Sequence, residues 1–289
     1  MPFTTLIDVS SLKRVLDEPW IAVIDCRFDL AKPDAGRLAY LAGHIAKARY
    51  ADLNRDLSAP VRPDSGRHPL PEPPILAATL GRLGIGNGSQ VIAYDDSGGS
   101  FAARLWWMLR WMGHTAAAVL DGGFQAWLAS GGALSAGEEP PAHPGGREVG
   151  FVPRLDDNAV LRVAEVAARL SDPRFSLVDA RAAERFAGTV EPIDTVAGHV
   201  PGAVNHPFSE NLGKDGRFLP VAELRRLWLK RLEGKEPANA AAMCGSGVTA
   251  CHNLLALEVA ALSGAKLYAG SWSEWIRDSN RPVARDLKP

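Results

Sequence analysis

Cys244 lies in a glycine-rich turn between an apolar strand and an apolar helix. The strand is predicted over 240–243, and the turn continues as Gly245-Ser246-Gly247-Val248-Thr249. The helix is expected over 251–262 because that stretch is strongly apolar. In open α/β sheets, ligands bind where a parallel strand ends and a helix begins. The position therefore favours a reactive Cys244 over a buried structural cysteine.

The chemistry expected of this turn is the binding of an anionic sulfur. Unpaired amides at a helix N-terminus attract negative charge, and Gly245 and Gly247 allow the backbone to curl toward the thiol. Such a cradle stabilises a thiolate and equally a persulfide anion. Ser246 and Thr249 add hydroxyl groups to the same turn.

The elements that position this turn belong to the second of two similar halves. Short landmarks recur in the same order and at a nearly constant offset, which indicates a duplicated domain. The pairs are Asp25-Cys26-Arg27 with Asp179-Ala180-Arg181, Gly43-His44-Ile45 with Gly198-His199-Val200, Val91 to Asp95 with Ala240 to Cys244, and Gly122 to Trp127 with Gly270 to Trp275.

Each half alternates short apolar strands with helical stretches, which predicts an α/β fold with mostly parallel sheets and helices on both faces. We predict a non-catalytic first domain over 1–136, a linker rich in proline and glycine over 137–157, and a catalytic domain over 158–289. The first half carries Asp95 where the second carries Cys244. The candidate nucleophile therefore occurs only in the second half.

Composition narrows the class of protein further. The chain has 289 residues, of which 46% are hydrophobic and 22% charged, and its net charge is −1. This balance gives no electrostatic basis for binding nucleic acid or an anionic membrane. Residues 1–20 are interrupted by charges, so neither a secretory signal nor a membrane span is expected. Three sparse cysteines do not predict a disulfide framework, and a cytoplasmic location is the expectation.

The stretch from Cys244 to Cys251 resembles the active-site loop of the rhodanese superfamily, and within it the 3-mercaptopyruvate branch. Matching segments on both sides of the loop extend the resemblance over essentially the whole chain. They are Val178 to Arg181, Arg185-Phe186, Gly198 to Asn205, Gly270 to Trp275, Arg104 with Trp106 to Met108, and Asp121 to Phe124.

The resemblance implies two tandem rhodanese-like domains and a two-step sulfur transfer through a Cys244 persulfide, with no metal or organic cofactor. The donor would be a small molecule, either 3-mercaptopyruvate or thiosulfate. The acceptor would be cyanide, a thiol or thioredoxin. Retention of Cys244 argues against a non-catalytic binding module.

The same resemblance implies roles for individual residues. Arg185 would hold the anionic group of the donor, and the loop residues Gly245, Gly247, Val248 and Thr249 would line the binding site. Ser246 and His68 would deliver the proton that pyruvate release requires. A carboxylate partner for His68 stays open: Asn54 falls nearest the expected position, and Asp52 and Asp56 flank it.

Two features separate this chain from the family pattern. The mercaptopyruvate branch usually carries a second arginine in a Glu-Pro-Arg segment, but Ile193 follows Glu191-Pro192 here. Thiosulfate enzymes usually place cations inside the loop, and this loop has none. A loop without cations favours a monoanionic donor, so 3-mercaptopyruvate leads and thiosulfate is the alternative.

Other chemistries fit the sequence less well. Phosphatases that share the fold need an arginine six residues after the cysteine, where this chain has Ala250. Cys251-His252 lacks the paired spacing of a zinc site. His44 and His199 occupy equivalent places in both halves, including the half without a nucleophile, which predicts structural roles for both.

Overall fold

The computed structural model describes residues 1–140 and 150–285, which form two units. The first unit comprises 1–59, 70–156 and 214–218, and the second comprises 60–69, 157–213 and 219–289. Residues 60–69 thus pack with the second unit although they precede most of the first unit's helices. Of the predicted linker, residues 141–149 lie outside the described part of the chain. Within that part, no helix is long and apolar enough to cross a membrane.

The first unit is built on a five-stranded parallel sheet in the order β1-β6-β5-β2-β4, and β3 and β7 form a separate antiparallel pair. Its strands are β1 Leu6–Ile7, β2 Ile21–Asp25, β3 His44–Ile45, β4 Arg49–Tyr50, β5 Gln90–Tyr94, β6 Ala117–Leu120 and β7 Leu134–Ser135. Its helices are α1 Val9–Val15, α2 Ala35–Ala42, α3 Pro73–Arg82, α4 Ala102–Trp111 and α5 Gly123–Ala129.

The second unit repeats this sheet in the order β10-β9-β11-β12-β8, again with parallel strands. Its strands are β8 Val160–Leu161, β9 Ser176–Asp179, β10 Val204–Asn205, β11 Ala240–Met243 and β12 Lys266–Tyr268. Its helices are α6 Val163–Arg169, α7 Ala183–Ala187, α8 Val221–Leu232, α9 Thr249–Val259 and α10 Ser271–Trp275, and short 3-10 helices lie at Phe208–Asn211 and Pro237–Asn239.

The two sheets have the same topology, which confirms the duplication and the α/β fold class predicted from the sequence. Counted from one edge, the strand order of the first sheet is β4-β2-β5-β6-β1. It corresponds strand by strand to the order β10-β9-β11-β12-β8 in the second sheet. The central strands are mostly apolar, and every residue of β5 and β11 is buried. Strands buried on both faces are mostly apolar because helices cover each face of a parallel sheet.

The aspartates and histidines that recur in both halves make contacts within their own units, in line with the structural roles that the sequence predicts for them. Asp25 pairs with Arg27, whose Nη2 donates to the Gly43 carbonyl at 2.7 Å. Asp179 and Arg181 make the same pair in the second unit, and Arg181 Nη2 donates to the Gly198 carbonyl at 2.8 Å.

The two histidines are equivalent in the same way. His44 Nδ1 lies 2.8 Å from the Tyr40 carbonyl oxygen, and the His44 ring stacks on Tyr40. His199 Nδ1 lies 2.8 Å from the Phe186 carbonyl oxygen, and the ring stacks on Phe186. Both histidines are therefore satisfied within the fold.

The helix after Cys244 begins earlier than the apolar pattern predicts. It runs over Thr249–Val259 rather than 251–262. Val248 is its N-terminal flanking residue, so the turn between strand and helix is short. As a result, the first helical turn follows Cys244 closely.

Candidate active site

Cys244 directly follows β11 and is almost fully buried, with 3% of its surface exposed. The Gly247 amide donates to Cys244 Sγ at 3.1 Å. Among the described residues, the amides of Ser246, Val248 and Thr249 have no hydrogen-bond acceptor. One amide of the turn therefore already donates to the sulfur, and the others are available to an anion bound beside it.

The first turn of α10 holds the backbone of the Cys244 loop. The amides of Trp272 and Ser273 donate to the carbonyls of Cys244 at 3.0 Å and Gly245 at 2.9 Å. The Cys244 amide donates to Ser271 Oγ at 3.1 Å, and this hydroxyl donates to the Tyr268 carbonyl. Ser271 has a φ of 54°, in the left-handed region that non-glycine residues rarely occupy. The nucleophile is thus fixed by a second, tightly bonded turn.

The two loop glycines are required for different reasons. Gly247 has a φ of 80°, and a Cβ there would lie 2.3 Å from the Ala269 carbonyl oxygen. Gly245 is not in the left-handed region. A Cβ on Gly245 would instead lie 2.9 Å from Nη2 of Arg67. Gly245 therefore makes room for a guanidinium group.

His68 reaches Ser246 from a loop distant in sequence. His68 Nδ1 lies 2.7 Å from Ser246 Oγ, and both side chains are buried. A buried hydroxyl–imidazole hydrogen bond can carry a proton, because imidazole exchanges protons near neutral pH. The structure thus brings together the serine and histidine that the sequence proposed as partners.

Arg185, on α7, makes a dense set of ion pairs with two carboxylates. Its Nε and Nη2 donate to Glu191, and Nη2 also donates to Asp194 Oδ2 at 3.0 Å. Burial by itself would raise the pKa of Glu191, but bonds from Arg185 and from the amides of Asp194 and Ile193 outweigh it and lower that pKa. Arg185 is therefore held by an ionised carboxylate.

Asp194 connects Arg185 to Arg67. Its Oδ1 accepts from Arg67 Nη1, while its Oδ2 accepts from Arg185. Burial raises the pKa of Asp194, and the two arginines oppose that effect. Sequence reasoning missed Arg67 and Asp194, although each stands beside a residue that it singled out, His68 and Ile193.

The remaining predicted residues take simpler places. Val248 is buried, and Thr249 is partly exposed at the first position of α9. In the first unit, Asp52 accepts from the amides of Asn54 and Arg55, and Asp56 accepts from the Asp52 amide. The pairing of one of these side chains with His68 stays a prediction.

The equivalent loop of the first unit is filled by its own carboxylate. Asp95 follows β5 as Cys244 follows β11, and it is fully buried. Its two oxygens accept from four loop amides at 2.8–2.9 Å, those of Ser97, Gly99, Phe101 and Ala102. The anion cradle of the first unit is therefore occupied by a side chain that cannot carry sulfur.

The other two cysteines are buried in the packing of their units. The Cys251 thiol, in the first turn of α9, donates to the Gly247 carbonyl at 3.3 Å. Burial raises the pKa of Cys26, which opposes formation of a thiolate there. Among the described residues, no group of three or more His, Cys, Asp and Glu side chains is arranged to hold a metal ion.

Comparison with known proteins agrees with this architecture. The rhodanese-like domain family matches residues 8–130 and again 162–278. Two such domains, with a cysteine loop intact in the second, define the class, and the chain belongs to the rhodanese family.

Particular relatives are similar over nearly the full chain. A Pseudomonas aeruginosa protein named "Probable 3-mercaptopyruvate sulfurtransferase" is 49% identical, over 98% of this chain and 99% of its own length. Thiosulfate sulfurtransferase of Gallus gallus is 34% identical, over 91% and 86% of the two chains. The structure titled 3-mercaptopyruvate sulfurtransferase from Leishmania major superimposes with a TM-score of 0.82 at 33% identity, covering 94% of this chain and 74% of that one.

Proposed function

We propose that this sulfurtransferase takes a sulfur atom from 3-mercaptopyruvate onto Cys244 and passes it to a thiol, thioredoxin or cyanide. The observation that carries the proposal is the buried hydrogen bond between Ser246 and His68. Ser246 stands two residues after Cys244, whose Sγ accepts from the Gly247 amide. The relatives named for 3-mercaptopyruvate, at up to 49% identity, support the same donor.

In the first step, the Cys244 thiolate attacks the sulfur of 3-mercaptopyruvate. A sulfur–sulfur bond forms and the donor's carbon–sulfur bond breaks, with its electron pair passing to the carbon that becomes the methyl group of pyruvate. That carbon takes up one proton, and the transferred sulfur keeps its own hydrogen as the Cys244 persulfide. The persulfide can then ionise beside the loop amides, which stabilise its negative charge.

The proton for the pyruvate carbon is the task of the Ser246–His68 pair. Ser246 donates through its hydroxyl, and His68 replaces the proton from Nδ1, 2.7 Å away. Thiosulfate needs no such proton, because its sulfite leaves as a stable anion. A built proton path therefore favours 3-mercaptopyruvate over thiosulfate as donor.

In the second step, a nucleophilic acceptor attacks the outer sulfur of the persulfide. The bond between the two sulfurs breaks, and its electron pair returns to Cys244 as the thiolate. With cyanide the product is thiocyanate, and with a thiol it is a new persulfide. Chemistry of this kind needs a reduced Cys244, and none of the three cysteines, which all lie in the described residues, forms a disulfide. This supports a reducing, cytoplasmic location.

The proposal includes a division of labour between the predicted domains. Domain 158–289 carries Cys244 and is catalytic, whereas domain 1–136, joined through 137–157, does not react. The carboxylate of Asp95, bonded to four amides where a nucleophile would stand, supports a non-catalytic first domain.

Steady-state kinetics with both donors tests the function. Pyruvate release from 3-mercaptopyruvate and sulfite release from thiosulfate are followed at matched concentrations, with dithiothreitol and cyanide as alternative acceptors. We expect a higher kcat/KM with 3-mercaptopyruvate for each acceptor. A higher kcat/KM with thiosulfate would place the protein with the thiosulfate enzymes instead.

A further inference from the structure

Ser273 lies in the first turn of α10 and is buried, with 4% of its surface exposed. Its amide donates to the Gly245 carbonyl at 2.9 Å. Its hydroxyl accepts from the Arg67 amide at 3.0 Å and donates to the Gly270 carbonyl at 3.3 Å. One residue of the helix therefore bonds the backbone of two segments that are far apart in the sequence.

The two segments each lead directly into one member of the proposed proton-delivery pair. Gly245 comes immediately before Ser246, and Arg67 comes immediately before His68. His68 Nδ1 and Ser246 Oγ lie 2.7 Å apart. Both side chains are short, so a hydrogen bond of this length requires that the two backbones are held at a fixed separation.

The 60–69 loop has two more contacts with the segment around α10. Gly66 packs so closely that a Cβ there would lie 2.4 Å from the Gly270 carbonyl oxygen. Arg277, which follows the helix, donates from Nε to the Ser65 carbonyl at 3.3 Å. The backbone just before the histidine is thus fixed to α10 and to the residues at its C-terminal end.

The equivalent position of the first unit shows that the fold does not itself require a serine here. The segment Gly122 to Trp127 corresponds to Gly270 to Trp275, so Gln125 stands where Ser273 does. Gln125 is exposed, and its Nε2 donates to the Asp96 carbonyl at 3.0 Å, within its own unit. The buried hydroxyl belongs to the half that carries the nucleophile.

We infer that Ser273 is a positioning residue that sets the distance between His68 and Ser246 by bonding the backbone in front of each. The inference rests on the proposed function, because it assigns to Ser273 the alignment of the pair that delivers a proton to the pyruvate carbon. Both partners of the Ser273 hydroxyl are backbone groups of the protein, so the residue acts through the loops that it joins.

The test is Ser273→Ala, which removes the hydroxyl and keeps the amide that bonds Gly245. The quantity measured is the first-turnover rate, the rate of pyruvate release at saturating 3-mercaptopyruvate without acceptor. We expect this rate to fall about ten- to a hundredfold, because His68 is then misplaced relative to Ser246. Alkylation of Cys244 by iodoacetamide should keep its wild-type rate at each pH, since the amides of α10 still hold the Cys244 loop.

A double variant separates positioning from a general loss of structure. In a His68→Gln background there is no imidazole left to align, so adding Ser273→Ala should lower the first-turnover rate little further. A purely structural effect would instead multiply with the effect of His68→Gln. Ser273→Thr keeps a hydroxyl for the Arg67 amide and should retain most of the wild-type rate.

Gln125→Ala is the matched control, because it changes the equivalent, exposed position of the first unit and should leave the first-turnover rate unchanged. Should Ser273→Ala fail to fold by circular dichroism, Arg277→Gln removes the contact with the Ser65 carbonyl from an exposed position instead. It should show the same pattern with a smaller loss, namely a slower first turnover, unchanged alkylation and little further effect in the His68→Gln background.

Clear results would overturn the inference. They are a wild-type first-turnover rate in Ser273→Ala, an altered alkylation rate of Cys244, losses that multiply with His68→Gln, or equal losses in the alanine and threonine variants. The first three results decide in the same way for Arg277→Gln if the alanine variant does not fold.

The proposed function fails separately, if wild-type enzyme forms no Cys244 persulfide from 3-mercaptopyruvate. A wild type that forms it while Ser273→Ala is unaffected leaves the function intact and contradicts only the role of Ser273.

Discussion

His68 Nδ1 lies 2.7 Å from the Ser246 hydroxyl oxygen, and 178 positions of sequence separate the two residues. The pair is buried, and Ser246 stands two residues after Cys244. Under the proposed function this pair is a proton source beside a nucleophile whose own chemistry, attack on sulfur, needs no proton. Its presence makes sense when the leaving group is a carbon that must be protonated.

The first prediction separates the two donors by their need for this proton. His68→Gln and Ser246→Ala should each lower kcat with 3-mercaptopyruvate by about a hundred- to ten-thousandfold, the usual range for general acid–base catalysis. Turnover of thiosulfate, measured in the same preparations, should fall much less because sulfite leaves as an anion. The double variant should lose little more than either single variant, since the two residues act as one unit. Equal losses with both donors would contradict the proton-delivery role.

The second prediction concerns the loop glycine whose amide bonds the sulfur. Gly202 and Gly247 share a φ of 80°, but a Cβ on Gly202 meets nothing within 4 Å, whereas one on Gly247 would lie 2.3 Å from a backbone oxygen. Gly202→Ala should therefore lower the free energy of unfolding by only about 1–2 kcal/mol, the cost of the left-handed backbone conformation.

Gly247→Ala should cost more than Gly202→Ala and should abolish persulfide formation, because the loop must move away from Ala269. Denaturant unfolding and donor-dependent labelling of both variants check this. Equal stability and equal activity of the two variants would show that close packing of the Cys244 loop does not require glycine at position 247.

The third prediction tests the self-occupied cradle of the first unit. Asp95→Asn replaces one of two acceptor oxygens by an NH₂ group that faces backbone donors. We expect the free energy of unfolding to fall by about 1–3 kcal/mol, the penalty of leaving buried donors without acceptors. Asp96→Asn, at the exposed neighbouring position, is the control and should be near neutral. Wild-type stability in Asp95→Asn would argue that the four amide bonds contribute nothing net.

The duplicated α/β fold could be predicted because its signals are local and repeated. Apolar runs such as 240–243 and the paired landmarks around Asp25 and Asp179 need no knowledge of tertiary contacts. The start of α9 was harder to predict, because Thr249 and Ala250 continue the turn in composition but belong to the helix in conformation.

The candidate active site could be predicted only in part. Cys244, Ser246 and Arg185 stand in recognisable segments, and His68 was proposed through the resemblance. The contacts of Arg67 with Ser273 and Asp194 could not be predicted, since they depend on a non-periodic loop that meets residues more than a hundred positions later.

The central claim is that Cys244 alone carries the transferred sulfur, and mass spectrometry of the protein after brief exposure to 3-mercaptopyruvate tests it most directly. The account predicts one added sulfur atom, located on the Cys244 peptide and lost on addition of cyanide. Cys26→Ser and Cys251→Ser should still gain that atom, because Cys244 is the cysteine that directly follows β11 and whose Sγ accepts a hydrogen bond from the Gly247 amide. A sulfur atom added in Cys244→Ser, or located on Cys26 or Cys251 in the wild type, would contradict the account.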